Sequence, residues 1–165
     1  MNYLDRILEN ATELLDIPNP VKLRGVISAG EVTFTEKTGA GVYTGSIVLP
    51  AGSTLIDIQV QSTTLWDAAT SATMKIGDVA DDDGFYAGID LKATDLEVGE
   101  VIRFGSTGGK EGAYIVTATG ELNSYSASTR TIFGIVTTVG ATGSAGRTRM
   151  LVIYVTPIPV VATKI

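Results

Sequence analysis

Between Thr54 and Ser62 apolar and polar side chains take turns: Ile56, Ile58 and Val60 are interleaved with Asp57, Gln59 and Gln61. In an extended chain a period of two sends the first set to one face and the second to the other. One apolar face and one wet face is the pattern of an antiparallel sheet. It predicts Ile56, Ile58 and Val60 turned to a core and Asp57, Gln59 and Gln61 turned to water.

The same signal recurs along the chain. Glu31–Glu36 alternates, with Val32 and Phe34 on one side, and Tyr43–Leu49 reads as a strand closed by the turn Pro50-Ala-Gly-Ser53. Further strands are predicted at Val21–Ser28, Ala72–Val79, Val101–Phe104, Ala113–Thr119, Thr131–Thr138 and Arg149–Thr156. Turn-rich runs at 105–112, 120–128 and 140–146 separate them. The 19 glycines and 22 threonines suit this reading, because glycine serves tight turns and threonine serves strands. Many short strands with turns between them predict a mainly β protein: an antiparallel β-sandwich or jelly-roll-like domain. Met150–Val155 is apolar on both faces, which predicts a central strand or one covered by a neighbouring subunit.

One segment breaks the pattern. Leu4, Ile7, Leu8, Ala11, Leu14 and Leu15 fall at helical spacing, with Asp5, Arg6, Glu9, Asn10 and Glu13 around them. Pro18 and Pro20 end this helix, since proline lacks the amide donor and biases its predecessor to extended geometry. The expected organisation is a helical arm over residues 1–20 and a sandwich over 21–165 with an extended tail. The apolar stripe of the arm needs a cover, either its own domain or another subunit. In the tail, Pro157 and Pro159 exclude a central strand position, so Ile158 and Val160 join the six arm residues as interface candidates.

What the chain lacks narrows its chemistry. It has no histidine and no cysteine, which removes the commonest general base, the usual catalytic triads, disulfides and most zinc or copper sites. A net charge of −6 without a basic block predicts no nucleic-acid partner. No apolar run reaches the roughly 20 residues a membrane helix needs, and the acids near the N-terminus are wrong for a signal peptide. The expectation is a chain made in a cytoplasm that binds no membrane, carries no cofactor and is not an enzyme.

Two stretches resemble sites. Asp78, Asp81, Asp83 and Asp90 are a candidate calcium set, because Asp81-x-Asp83-Gly84 overlaps part of a calcium loop. The register breaks elsewhere: Val79 takes the first ligand position and the shorter Asp90 replaces the bidentate glutamate. A solvated acidic turn explains the same residues. Asp57 and the loop acids carry no spacing that marks a glycosidase pair. Trp66 is either a sugar-stacking platform or a partly buried residue closing one end of the sandwich. The glycine-rich run at 105–112 lacks the Lys-Ser/Thr ending of a phosphate loop, and Arg147 and Arg149 read as surface strand charges.

A string of motifs across residues 43–104 resembles tailed-bacteriophage virion structural proteins of the head decoration type. Leu49-Pro-Ala-Gly52 follows a strand, then come Ile56-Asp-Ile-Gln-Val-Gln61 and Thr64-Leu-Trp-Asp67. Thr70-Ser-Ala-Thr-Met-Lys-Ile-Gly-Asp78, an Asp-rich turn, Tyr86 and Ile89-Asp-Leu91 complete it. The resemblance implies a capsid decoration or cement protein on the outer surface of a phage head, trimeric and bound to the major capsid protein. The arm and everything beyond Phe104 lie outside the matching string. The same string also fits a fibre or tail-associated protein that contacts host glycans near Trp66.

Overall fold

The computed structural model describes residues 25–157 apart from 40, 93, 116–123 and 141–142. The interface candidates Leu4, Ile7, Leu8, Ala11, Leu14, Leu15, Ile158 and Val160 therefore lie outside the described residues, as does the arm's boundary with the sandwich.

Eight strands form two four-stranded antiparallel sheets. They are β1 (Gly25–Thr35), β2 (Gly41–Leu49), β3 (Thr54–Thr64), β4 (Ser71–Gly77), β5 (Tyr86–Asp90), β6 (Val101–Ile102), β7 (Arg130–Val139) and β8 (Arg147–Pro157). One sheet has the order β1-β8-β3-β6 and the other β2-β7-β4-β5. Successive strands thus cross between sheets at β1–β2, β2–β3 and β3–β4, and again later. The Pro50–Ser53 turn makes one crossing: Ser53 N donates to Pro50 O at 3.2 Å while Gly52 takes φ 76°, the left-handed position that glycine accepts without strain.

The core is the space between the sheets. Phe34, Leu55, Ile58, Val60, Met150 and Val152 enter from the first sheet and Ile47, Leu49, Met74, Ile76, Tyr86, Ile89, Ile132 and Val136 from the second, all buried. Each such side chain stabilises the fold by about 1.5–3 kcal/mol before ordering costs. Opposite Phe34 the second sheet has no side chain, because Gly45 pairs with Gly134 across β2 and β7. A Cβ at Gly45 would stand 3.1 Å from Phe34 Cζ and one at Gly134 only 2.7 Å. The two glycines together make the slot that the ring fills.

Several sequence expectations change. Val21–Ser28 and Glu31–Glu36 are predicted as two strands, yet β1 runs unbroken from Gly25 to Thr35. Paired along its whole length with β8, the chain has no reason to turn at Gly30. Ile56 does not face the core: it is 50% exposed while Leu55 is 2% exposed. The register with β8 slips between Leu55 and Asp57, so Ile56 is the extra residue of a bulge and the inward alternation restarts after it. Residues 113–115 of the expected strand Ala113–Thr119 form a turn, and Tyr86–Asp90 is a strand that alternation did not reveal. Met150–Val155 is central, hydrogen-bonded to β1 on one side and β3 on the other.

Candidate functional site

The acidic turn sits in the connection from β4 to β5. Its first residue is built into the fold. Asp78 Oδ1 accepts the amides of Ala80 at 2.9 Å and Asp81 at 3.2 Å and the Tyr114 hydroxyl at 2.9 Å. Its Oδ2 accepts Arg130 Nε at 2.7 Å and pairs with the second guanidinium nitrogen at 2.6 Å. Arg130 in turn lies over the rings of Phe85 at 5.0 Å and Tyr114 at 5.4 Å. Burial alone would raise the Asp78 pKa, but the hydrogen bonds from Tyr114, Arg130 and the Ala80 amide overcome it and hold the carboxyl below its usual range. Burial, then the hydrogen bond to Asp78, pushes the Tyr114 hydroxyl up to about 12.

The remaining acids of the candidate set divide. Asp81 and Asp83 stay together with Asp82, which lies between them in the chain: carboxylate oxygens of the three lie within 4.8 Å of one another, and Lys75 pairs with Asp82. Asp83 is raised, first by its hydrogen bond to Asp81 and then by burial and the neighbouring charges. Asp90 is not among them. It stands at the far end of β5, where its Oδ1 accepts the Lys92 amide at 2.8 Å and its own amide donates to Asp95. The chain thus gathers three of its acids at the turn and leaves Asp90 at the opposite pole of the sandwich.

Trp66 belongs to that opposite pole, and the sugar-platform reading fails there. The indole is only 2% exposed. Its Nε1 donates to Thr148 Oγ1 at 2.8 Å, and the Tyr43 ring meets it edge-on at 5.4 Å. A buried ring offers no face to a glycan. Asp67 continues the same clamp: its Oδ1 accepts the amides of Ser144 at 2.7 Å and Ala145 at 3.3 Å. Those two amides are the main causes that lower its pKa. The buried Glu36 Oε2 accepts the amides of Asp67 at 3.0 Å and Gly146 at 3.1 Å. The Thr64-Leu-Trp-Asp67 motif is a staple that ties the β1, β3 and β8 ends together.

The surfaces hold what alternation did not single out. On the outer face of the first sheet Ile27 is 67% exposed. The register sets it beside Val155, and Ala29 beside Ile153, while the bulge adds Ile56 from β3. Leu151, Ile153 and Val155 point outward because Met150 and Val152 point in. The signal was present in the two-faced apolarity of Met150–Val155, but only the pairing shows which neighbours extend it. The second sheet exposes Val42 and Val48. On the same face Arg149 is bonded to Glu31 at 3.1 Å and to Gln61 at 3.2 Å, and Asp57 stands in register with Ile153.

The architecture is that of an all-β sandwich of two antiparallel sheets, and among the described residues no helix is long and apolar enough to cross a membrane. No family model and no curated protein matches the sequence. The fold, however, has solved counterparts. One is a chain of the acidic stable capsid structure of Helicobacter pylori bacteriophage KHP30, with a TM-score of 0.55 and 14% identity over 82% of this chain and 91% of that one. Another is a chain of the cyanophage Pam1 capsid asymmetric unit, with a TM-score of 0.51 and 17% identity over 86% of this chain and 92% of that one. At such identities the likeness is one of fold: this chain resembles phage capsid chains in architecture.

Proposed function

We propose that this chain is a bacteriophage capsid decoration protein, which binds the outer surface of the head and stiffens the shell by adhesion, without catalysis. The observation that carries the reading is the likeness of fold to chains of two phage capsids, spanning 82% and 86% of this chain. The interleaved strand order fits a jelly roll, the eight-stranded sandwich built from two Greek keys. The sequence is consistent with such a role, since a chain free of histidine and cysteine holds few catalytic or redox options.

In this reading the partner is the major capsid protein, the location is the outside of the virion after synthesis in the host cytoplasm, and three copies pack around a threefold axis. Adhesion uses the two ends of the chain. Gly25 pairs with Pro157, so the first and last of the described residues lie side by side at one pole. Leu4, Ile7, Leu8, Ala11, Leu14 and Leu15 on one segment and Ile158 and Val160 on the other supply apolar contacts there. Each is modest, and symmetry multiplies them. A fibre or tail role gripping host glycans loses its anchor with the burial of Trp66.

The test is cosedimentation with heads stripped of their surface proteins. The full chain binds, and removal of residues 1–18 weakens binding while the sandwich keeps its β circular dichroism. Equal binding by the shortened chain would refute the role of the arm, and absence of binding by the full chain would refute the decoration reading.

A further inference from the structure

Each sheet ends in two outer strands, and an outer strand turns the amide and carbonyl of every second residue away from its one neighbour. Folded proteins blunt such edges by covering them, shortening them, bending them at a bulge or placing charges and prolines on them. Among the described residues, β1, β5 and β6 each carry such a device. β6 is two residues long. β5 is covered, since Ala87 N donates to Lys110 O at 3.1 Å and Tyr86 bridges to Glu111. β1 carries Glu31 near its middle, bonded to Arg149. β2 has none of them. Gly41-Val-Tyr-Thr-Gly-Ser-Ile-Val-Leu49 holds no charge and no proline, and its pairing with β7 runs nine residues without a register shift. Val42 and Val48 stand on it 66% and 57% exposed.

The residues of this edge match themselves when the strand is reversed. Two antiparallel copies centred on Gly45 set Val42 opposite Val48 of the second copy, Thr44 opposite Ser46, and Tyr43 opposite Ile47 on the inner side. Directly opposite residues of an antiparallel pair share a face, so β-branched valines meet outside and hydroxyls meet hydroxyls. No like charges oppose each other along it, although each chain carries a net −6. β1 lacks this property: reversed about its own middle, Gly30, it sets the two Glu31 carboxylates on a diagonal of the pair, within reach of each other. We propose that β2 pairs with β2 of a second copy across a twofold axis at Gly45. The β2-β7-β4-β5 sheets of the two copies then continue into one another. An isologous contact cannot build a threefold ring. The dyad therefore goes beyond the decoration reading and, where copies surround a threefold axis, ties one ring to the next.

The cysteine-free chain allows a direct test with the full-length double variant Val42→Cys/Val48→Cys and its two single variants. Both positions are exposed, so the substitutions leave the core untouched. A disulfide forms only when the two Cα atoms come within about 7 Å. Residues opposite each other across an antiparallel pair stand about 4.5–5.5 Å apart, whereas six residues along one strand span about 20 Å. The two cysteines therefore cannot close within one chain. Under mild oxidation the double variant gives a covalent dimer that a reductant dissolves. Val42→Cys alone and Val48→Cys alone remain uncoupled, because the dyad keeps like positions about 20 Å apart. Coupling of either single variant to itself overturns the pairing about Gly45. A double variant that stays monomeric after oxidation overturns it as well.

Discussion

Trp66 and Thr148 are 82 positions apart in the chain and 2.8 Å apart in space, indole Nε1 to hydroxyl oxygen, at the buried end of the sandwich. The bond joins the exit of β3 to the second residue of β8. It leaves the single tryptophan with its polar atom satisfied and its ring out of water.

This pair makes the first prediction. Thr148→Val keeps the volume but leaves the indole donor unpaired, and should cost about 1–3 kcal/mol in urea unfolding. Trp66→Ala should cost about 3–5 kcal/mol, because it also opens a cavity. Tryptophan emission from the folded protein should be blue-shifted and insensitive to iodide. Strong iodide quenching in the native state would contradict the burial.

A second prediction concerns acid. The Asp78 pKa is lowered in the folded protein, so the unfolded chain binds the extra proton first. The stability contributed by this carboxylate is complete above its unfolded value, near 3.9, and is lost as pH falls through the folded value. Asp83, raised by its neighbours, has the opposite sign, and its contribution is lost as pH rises. Asp78→Asn should reduce stability by about 3 kcal/mol at neutral pH, by stranding the Arg130 guanidinium. It should also flatten the decline that sets in as pH falls below the ordinary carboxylate value, near 3.9. An unchanged acid slope in urea titrations would show that Asp78 is not the group responsible.

The glycine slot supplies the third. Gly134→Ala puts a methyl 2.7 Å from Phe34 Cζ, an overlap the ring cannot escape by rotating. The expected cost is about 1–3 kcal/mol. Phe34→Leu should be less damaging in the Gly134→Ala background than alone, a coupling that a double-mutant cycle reads directly. Additive effects would mean that the two residues do not share the space.

Bulge geometry separates two neighbouring isoleucines. Ile56→Thr should change stability by less than about 0.5 kcal/mol, as surface substitutions do, whereas Ile58→Ala should cost about 2–5 kcal/mol. Similar losses at both positions would put Ile56 back in the core.

These residues also show where reading the chain alone succeeds. Ile58 and Val60 were assigned to the core from alternation, and both are fully buried. The Pro50–Ser53 turn was readable because its residue types suit fixed corner dihedrals. Ile56 was misassigned because a bulge depends on the partner strand, and no local pattern encodes the residue that β8 skips. The strand Tyr86–Asp90 has no local signature for a similar reason: Gly88 interrupts its alternation, and pairing with β4 holds it extended. Among the acids, proximity in sequence gathered Asp81 and Asp83 correctly, but it could not reveal that Asp78 faces Arg130, 52 positions away.

Local periodicity and side-chain chemistry by themselves determined that this protein is an antiparallel β-sandwich with an apolar N-terminal segment and few means of catalysis. Both are properties of neighbouring residues, and a period of two is visible wherever one face is wet. Only the tertiary structure decided that Trp66 is a staple and not a platform, that Asp90 stands apart from the acidic turn, and that Ile27, Ile56 and Val155 share one open face. Those relationships come from strand order and register, which bring together side chains that no local spacing connects.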